Sequence, residues 1–260
     1  MMKKSQKIVI GAVLVIGLLL ILPFLIPMQT YLHKAEQIAS EKLGQPVTIG
    51  AVHVLLLPSP RVAASDIVVG AHEELKVANL VVTPTIGTLL SDVKILDVSI
   101  SKPVLKKAAL DFVAALKAPD DSTIADSKPS SVNIRHIKID ELQLIWPNAQ
   151  LADIKLPIIN AEAMLTKENK LESALIKTMD GKLGAAITPS GINGNDQLIM
   201  VNASQWTLPA GLPLLIDKAN LEMYLKGNRL TIPNIDIALY DGKLTGDAVI
   251  SWPVSKGKVN

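Results

Sequence analysis

The sequence contains no cysteine in its 260 residues. This absence excludes thiol catalysis, thiolate metal ligands and disulfide cross-links. Aromatic residues are also scarce, at 3% of the chain, whereas hydrophobic residues make up 49%. A nucleotide or sugar site usually needs aromatic rings for stacking, but an acyl chain needs only aliphatic walls. The apolar surface of this chain is therefore built from Ile, Leu, Val and Ala.

Neither sign of charge dominates the chain. The formal net charge is +2. Residues 1–7 contribute three lysines and no acidic residue, so the remaining chain is nearly neutral. Binding to nucleic acid requires clustered Lys and Arg, and no such stripe is present. We therefore expect no nucleic acid partner.

The sequence also lacks the residue patterns of catalytic and cofactor sites. The four histidines, His33, His53, His72 and His136, share no metal-ligand spacing. No serine lies in a Gly-x-Ser-x-Gly sequence, and the glycines between 181 and 194 do not match a phosphate-binding loop. We predict that the protein is not an enzyme and uses no metal or cofactor.

One long hydrophobic run, Ile8 to Pro27, follows a basic tail of Lys3, Lys4 and Lys7. About 20 apolar residues at ~1.5 Å each span the ~30 Å hydrocarbon core of a bilayer. The lysines favour a cytoplasmic N-terminus. A cleaved signal peptide is the alternative, but it has a shorter apolar core and a small-residue cleavage site. Residues 1–28 are thus predicted to be a cytoplasmic tail and a single-pass membrane anchor, with the C-terminal region outside the cytoplasm.

An amphipathic helix and then strands are predicted after the anchor. Apolar residues recur at helical spacing from Tyr31 to Leu43, and Gly44 with Pro46 ends this helix. From Val47 onward the apolar residues alternate with polar ones, a period of two that is typical of half-buried strands. The fold class predicted from these patterns is a membrane-anchored, mainly β protein with a long antiparallel sheet.

A polar, proline-containing segment, residues 117–131, interrupts the strand pattern. Its composition cannot bury enough surface to order itself, so we predict a flexible linker or loop. It separates a helix plus β region, residues 29–116, from an antiparallel β region, residues 132–260. The first region ends in a predicted short helix, Lys106–Leu116. In the second region the alternation shifts at His136–Ile137, which predicts a bulge or a kink.

Several segments resemble the start of AsmA-type proteins of the bacterial envelope. They are Pro23–Pro27 (PFLIP), Leu43–Ile49 (LGQPVTI), Leu57–Val62 (LPSPRV) and Val98–Pro103 (VSISKP), and Asp236–Gly246 resembles a later Tyr-Gly-Gly region with Asp241 in place of its first Gly. The chain is shorter than is usual for that family, which indicates a short or incomplete member. The resemblance implies an inner-membrane anchor that carries a periplasmic antiparallel β-sheet curved into an apolar groove. It also implies a role in phospholipid transport or outer-membrane biogenesis, without catalytic residues.

Aliphatic strand residues would supply the walls of such a groove. The candidates are Ile95, Val98, Ile100, Leu142, Leu144, Leu221, Met223, Leu225, Ile237 and Leu239. The sequence leaves open which strand face points inward. The expected partners are the membrane, phospholipid and other envelope proteins. The alternative role is that of a non-catalytic structural or accessory subunit of an envelope assembly such as a secretion system.

Overall fold

The computed structural model describes residues 28–56, 59–85, 94–110, 132–146, 154–191, 196–208 and 214–252. These residues form a mainly β structure in which 14 strands make one sheet. Helix α1 spans Met28–Leu43. The strands are β1 Val47–Leu55, β2 Arg61–Val69, β3 Leu75–Pro84, β4 Lys94–Ser101, β5 Val104–Lys106, β6 Val132–Trp146, β7 Ile154–Lys155, β8 Ile159–Leu165, β9 Leu171–Thr178, β10 Leu183–Ser190, β11 Asp196–Leu208, β12 Leu214–Lys226, β13 Arg229–Leu239 and β14 Gly242–Ser251.

The predicted membrane span, Ile8 to Pro27, lies outside the described residues. Among the described residues, no helix combines the length and the hydrophobicity needed to cross a membrane. The predicted linker, residues 117–131, also lies outside them. Of the helix predicted at Lys106–Leu116, residues 107–110 are described and helical. The mainly β prediction is confirmed, as is a helix that ends at Gly44, whose φ is 63°.

Strand order in the sheet largely follows chain order. The path runs β1-β2-β3-β4-β6-β8-β9-β10-β11-β12-β13-β14, with β5 beside β3 and β6, and β7 beside β6. The pairs are antiparallel, as predicted, except that β4 and β5 run parallel to β6. A parallel pair cannot be joined by a tight hairpin, and residues 107–131 make this connection. Strands before and after the predicted linker therefore pair within the same sheet.

A row of residues with left-handed backbone crosses the first half of the sheet. Asp66 in β2, Lys102 between β4 and β5, and Glu141 in β6 have φ angles of 53°, 51° and 58°, and the strand registers place them in line. Each of them shifts the in-and-out alternation of its strand. Ile139 and Leu142, for example, share a face although they are three residues apart. The apolar side chains on either side of this row therefore lie on the same face of the sheet.

The bulge predicted at His136–Ile137 is present one residue closer to the N-terminus. The pairing of β4 with β6 skips Arg135, which is the extra residue. The guanidinium of Arg135 donates two hydrogen bonds to the carboxylate of Asp97, at 3.1 and 2.6 Å. Such a two-pronged contact between charged groups has a fixed geometry. It therefore holds the bulge against the neighbouring strand.

Helix α1 packs on the sheet at the end formed by β1, β2 and β3. The buried centre of this contact consists of Val47, Ile67 and Val69, whose exposed fractions are 7%, 9% and 3%. Ala39 and Leu43 of the helix pack against them. This is the main aliphatic core among the described residues, because most other strand side chains are half-buried.

Side chains from α1 also cover the outer edge of β1. The hydroxyl oxygen of Ser40 accepts a hydrogen bond from the backbone N–H of Val47 at 2.9 Å, and Oε1 of Glu36 accepts one from Ile49 at 2.7 Å. An uncovered strand edge presents free N–H groups that can pair with another chain. Helix α1 therefore protects both the face and the edge of the sheet at this end.

Candidate functional site

Cross-strand pairing divides the sheet into two faces, because residues directly opposite each other on paired strands share a face. One face, which we call the aliphatic face, carries aliphatic residues on each strand of the path from β4 to β14. Its members include Val98, Ile100, Ile137, Ile139, Ala161, Ile176, Ala185, Val201, Leu221, Ile237 and Leu244. An uninterrupted apolar surface therefore crosses most of the sheet.

The opposite face, which we call the polar face, carries most of the charged and amide side chains. One of its rows consists of Asn160, Lys177, Gly184, Asn202 and Asn220. Ion pairs on this face join Lys138 to Asp140 at 3.0 Å and Lys243 to Asp236 at 3.0 Å. Exposed pairs of this kind contribute little stability. The polar face is thus suited to contact with water.

Nine of the ten predicted groove residues lie on the aliphatic face. They are Val98, Ile100, Leu142, Leu144, Leu221, Met223, Leu225, Ile237 and Leu239. Ile95 lies on the polar face, because it pairs with Asn133, whereas Leu96 pairs with Pro84 and Ile134. Since β4 alternates regularly, residues three apart cannot share a face. Ile95 therefore does not belong to this surface.

The pairing also adds residues that the sequence-based candidates omitted. They include Ile137, Ile139, Ile176, Ile199 and Val201. Ile137 and Ile139 alternate with polar residues, whereas Ile176, Ile199 and Val201 lie beside other apolar residues. Only the register shows which residues of neighbouring strands share a face. Ala203 and Ala219 face each other across β11 and β12 and are 6% and 3% exposed. Larger neighbours shield these small side chains.

The aliphatic face is only partly covered on its C-terminal strands. Leu221, Met223 and Ile237 are half-buried, and Leu244 and Ile250 are 54% and 52% exposed. Helix α1 contacts β1, at the other end of the sheet. Large exposed apolar surfaces mark sites of interaction with ligands, membranes or proteins. The arrangement can therefore bury an apolar molecule without any directional chemistry.

The described residues bring one histidine and one carboxylate together across two strands of the sheet. They contain no group of three or more side chains that could hold a metal ion. A ring nitrogen of His136 lies 2.7 Å from Oε1 of Glu162, but Glu162 is 52% exposed and lies on the polar face. The exposure of this pair favours a surface contact between strands.

Two pKa shifts in the second half of the sheet have local causes. A hydrogen bond from the Thr178 hydroxyl and another from the backbone N–H of Lys182 lower the pKa of Asp180. A hydrogen bond to the carboxylate of Glu222 raises the pKa of Tyr224. Both contacts join residues close together in the chain, so they stabilise a turn and a strand surface.

No protein-family model matches the chain, and no curated protein matches it either. The fold and the surface geometry therefore define its class by themselves. Within the described residues, the chain is a mainly β protein with one large, mostly antiparallel sheet that has an aliphatic face and a polar face.

Proposed function

We propose that this chain is an AsmA-like protein of the bacterial envelope that holds the acyl chains of phospholipids against its aliphatic face. In this proposal residues 8–27 anchor it in the inner membrane, the N-terminus is cytoplasmic and the sheet is periplasmic. Its role lies in outer-membrane biogenesis or phospholipid transport. The observation that carries the proposal is the aliphatic face of β11 to β14, on which Leu244 and Ile250 are more than half exposed.

Binding of this kind rests on burial alone. Each CH₂ group removed from water contributes about 0.8 kcal/mol, so a long acyl chain gains enough from contact with Leu221, Met223 and Ile237 to bind without polar contacts. The proposal includes curvature of the sheet into a groove, for which the bulges in β6 and β13 supply bends. Affinity should survive high salt, because charge contributes little, and head-group selectivity should be low.

Analysis of bound lipid tests the proposal. The full chain would be extracted from membranes in mild detergent and its co-purifying lipids measured by mass spectrometry. We expect bound phospholipid with the wild type and loss of most of it with Leu221→Gln/Met223→Gln. Glu222→Gln, the matched control on the polar face of the same strand, should retain it. Equal lipid content in all three proteins, or none in any, would contradict the proposal.

A second function is favoured by a separate observation, the exposure of strand β14. Nine of its ten residues are exposed, and no described strand pairs with its outer edge. Free edges accept strands from partner proteins. On this account the protein is an accessory subunit of an envelope assembly such as a secretion system. Lipid-free protein together with a photo-crosslink from Asp247 to one defined envelope protein would favour this function over the first.

A further inference from the structure

Three lysines surround an open cavity on the polar face. The cavity has a volume of about 410 Å³ and is lined by residues of β9, β10, β11 and β12 and of the turn between β9 and β10. Lys177, Lys182 and Lys218 contribute their side chains to it, and Gly184 lies between them. Because glycine has no side chain, the space above β10 stays open at this point.

The strand register explains why these lysines converge. Lys177 pairs with Gly184, which pairs with Asn202, which in turn pairs with Asn220. Lys218 pairs with Ser204 in the next row. Three steps between strands, at about 4.8 Å each, and one offset of two residues along β12 separate Lys177 from Lys218 by roughly 16 Å at the backbone. Two long lysine side chains can therefore reach a small ligand from opposite sides.

The positive charge of this cavity is only partly compensated within the described residues, because attraction between Asp180 and Lys182 helps to lower the pKa of Asp180. None of the three lysines forms an ion pair there, whereas the nearby carboxylates are engaged. Asp180 accepts hydrogen bonds from Thr178 and from the backbone of Lys182. In addition, Asp236 pairs with Lys243, and Glu222 accepts a hydrogen bond from Tyr224. The residues that line the cavity thus supply three ammonium groups, two amides and a hydroxyl, and no acidic residue is among them.

We propose that this cavity binds a phosphate ester with a small hydroxylated body. Lysine ammonium groups form strong hydrogen bonds with phosphate oxygens. The amides of Asn202 and Asn220 and the hydroxyl of Ser204 can bond the hydroxyl groups of the body. The site is independent of the proposed acyl-chain surface, because it lies on the opposite face of the sheet.

Isothermal titration of the full, detergent-solubilised chain with glycerol 3-phosphate tests the site. We expect saturable binding that weakens as salt concentration rises. Glycerol, which lacks the phosphate, should not bind. The probe carries no acyl chain, so failure of the acyl-chain proposal would leave this result unaffected, and failure here would leave the acyl-chain proposal standing.

Charge variants locate the binding. Lys177→Gln and Lys218→Gln should each weaken glycerol 3-phosphate binding about fivefold, since each removes one charged hydrogen-bond donor. Lys226→Gln is the matched control, because Lys226 lies on the same strand and face as Lys218 but approaches Asp196 at 3.8 Å. It should bind as the wild type does. Equal affinity in all of these proteins would overturn the site.

A variant that fills the cavity tests the site without changing its charge. A Cβ at residue 184 would lie 3.6 Å from the backbone oxygen of Ile176, which is ordinary contact. Gly184→Val should therefore fold, since Val suits a strand, and should lose binding more than tenfold because its side chain occupies the space. Unchanged binding in this variant would exclude the cavity.

Vesicles separate the two sources of the phosphate ester, a free metabolite and a lipid head group. If vesicles of phosphatidylglycerol compete with glycerol 3-phosphate, the site accepts a phosphate ester from either source. If glycerol 3-phosphate binds and vesicles do not compete, the ligand is a soluble phosphate ester. Binding to vesicles without any binding of glycerol 3-phosphate would overturn the proposal and assign the lysines to contact with a membrane surface.

Discussion

At its N-terminal end the sheet is covered by helix α1, whereas at its C-terminal end the same aliphatic face is half exposed. Ile67 and Val69 under the helix are 9% and 3% exposed, and Leu244 and Ile250 are 54% and 52% exposed. The edges differ in the same way. Glu36 and Ser40 bond the edge of β1, but among the described residues nothing pairs with the outer edge of β14.

This difference shows that residue type alone does not decide whether a strand face becomes a buried core or stays exposed. Both ends carry Ile, Leu and Val on one face, because apolar and polar residues alternate along the strands at both ends. A single amphipathic helix converts one end into a core. The other end keeps apolar surface that a ligand or partner can bury.

The largest expected effect is the cost of truncating a covered residue. Ile67→Ala should lower the free energy of unfolding by about 2–4 kcal/mol, because it leaves a cavity beneath the helix. Ile237→Ala removes the same atoms from the half-exposed end and should cost about 1 kcal/mol or less. Urea denaturation followed by tryptophan fluorescence measures both variants. Equal losses would show that the two ends are packed alike.

A smaller effect is expected at the protected edge. Glu36→Ala removes the acceptor for the N–H of Ile49 and should cost about 1 kcal/mol. Hydrogen exchange at the Ile49 amide should accelerate, while Glu41→Ala, a change on the same helix, should leave that amide protected. Unchanged exchange in Glu36→Ala would mean that the helix does not cover this edge.

Trp206, in the second half of the sheet, is a position where a substitution can raise the free energy of unfolding instead of lowering it. Its indole Nε1 is buried, and no hydrogen-bond partner for it is found among the described residues. An unsatisfied buried donor destabilises a fold, so Trp206→Phe should raise the free energy of unfolding or leave it within about 1 kcal/mol. The same urea titration measures it. A loss of more than about 2 kcal/mol would show that the indole N–H has an acceptor.

The smallest effect concerns a turn at the covered end. A hydrogen bond and attraction from Lys76 lower the pKa of Glu73 below its usual 4.5. Because the folded pKa is depressed, the contact stabilises the turn above pH 4.5 and is lost as the pH falls through the lowered value. Titration by NMR should show this, and Lys76→Gln should bring the pKa back up. An unshifted Glu73 in the wild type would refute the contact.

Local features of this fold were predictable from the sequence. Gly44 and Pro46 predicted the end of the helix, and the alternation in β4 predicted a half-buried strand. These features depend on neighbours in the chain, and the structure confirms them. Ile38 shows the limit of such patterns, because it lies at a helical spacing but is 45% exposed. Ala39 and Leu43 are the helix residues that pack on the sheet, and this orientation of the helix leaves Ile38 partly in contact with solvent.

Features that depend on distant pairing were not predictable. Nothing local marks Lys102 or Glu141 for a positive φ, since such angles usually fall to glycine. The parallel step between β4 and β6 depends on a long connection. The polar cavity was missed for the same reason, because Lys177 and Lys218 are far apart in the chain and meet only through the register of four strands.

Photo-crosslinking along β12 tests the central claim, that the half-exposed aliphatic face holds acyl chains, most directly. A photoreactive phenylalanine analogue would be placed singly at residues 221, 222, 223, 224 and 225 of the full chain in membranes. Residues 221, 223 and 225 lie on the aliphatic face, and residues 222 and 224 lie on the polar face. The account predicts labelling of phospholipid from the first set and little from the second. Equal labelling from both sets, or none from either, would contradict it.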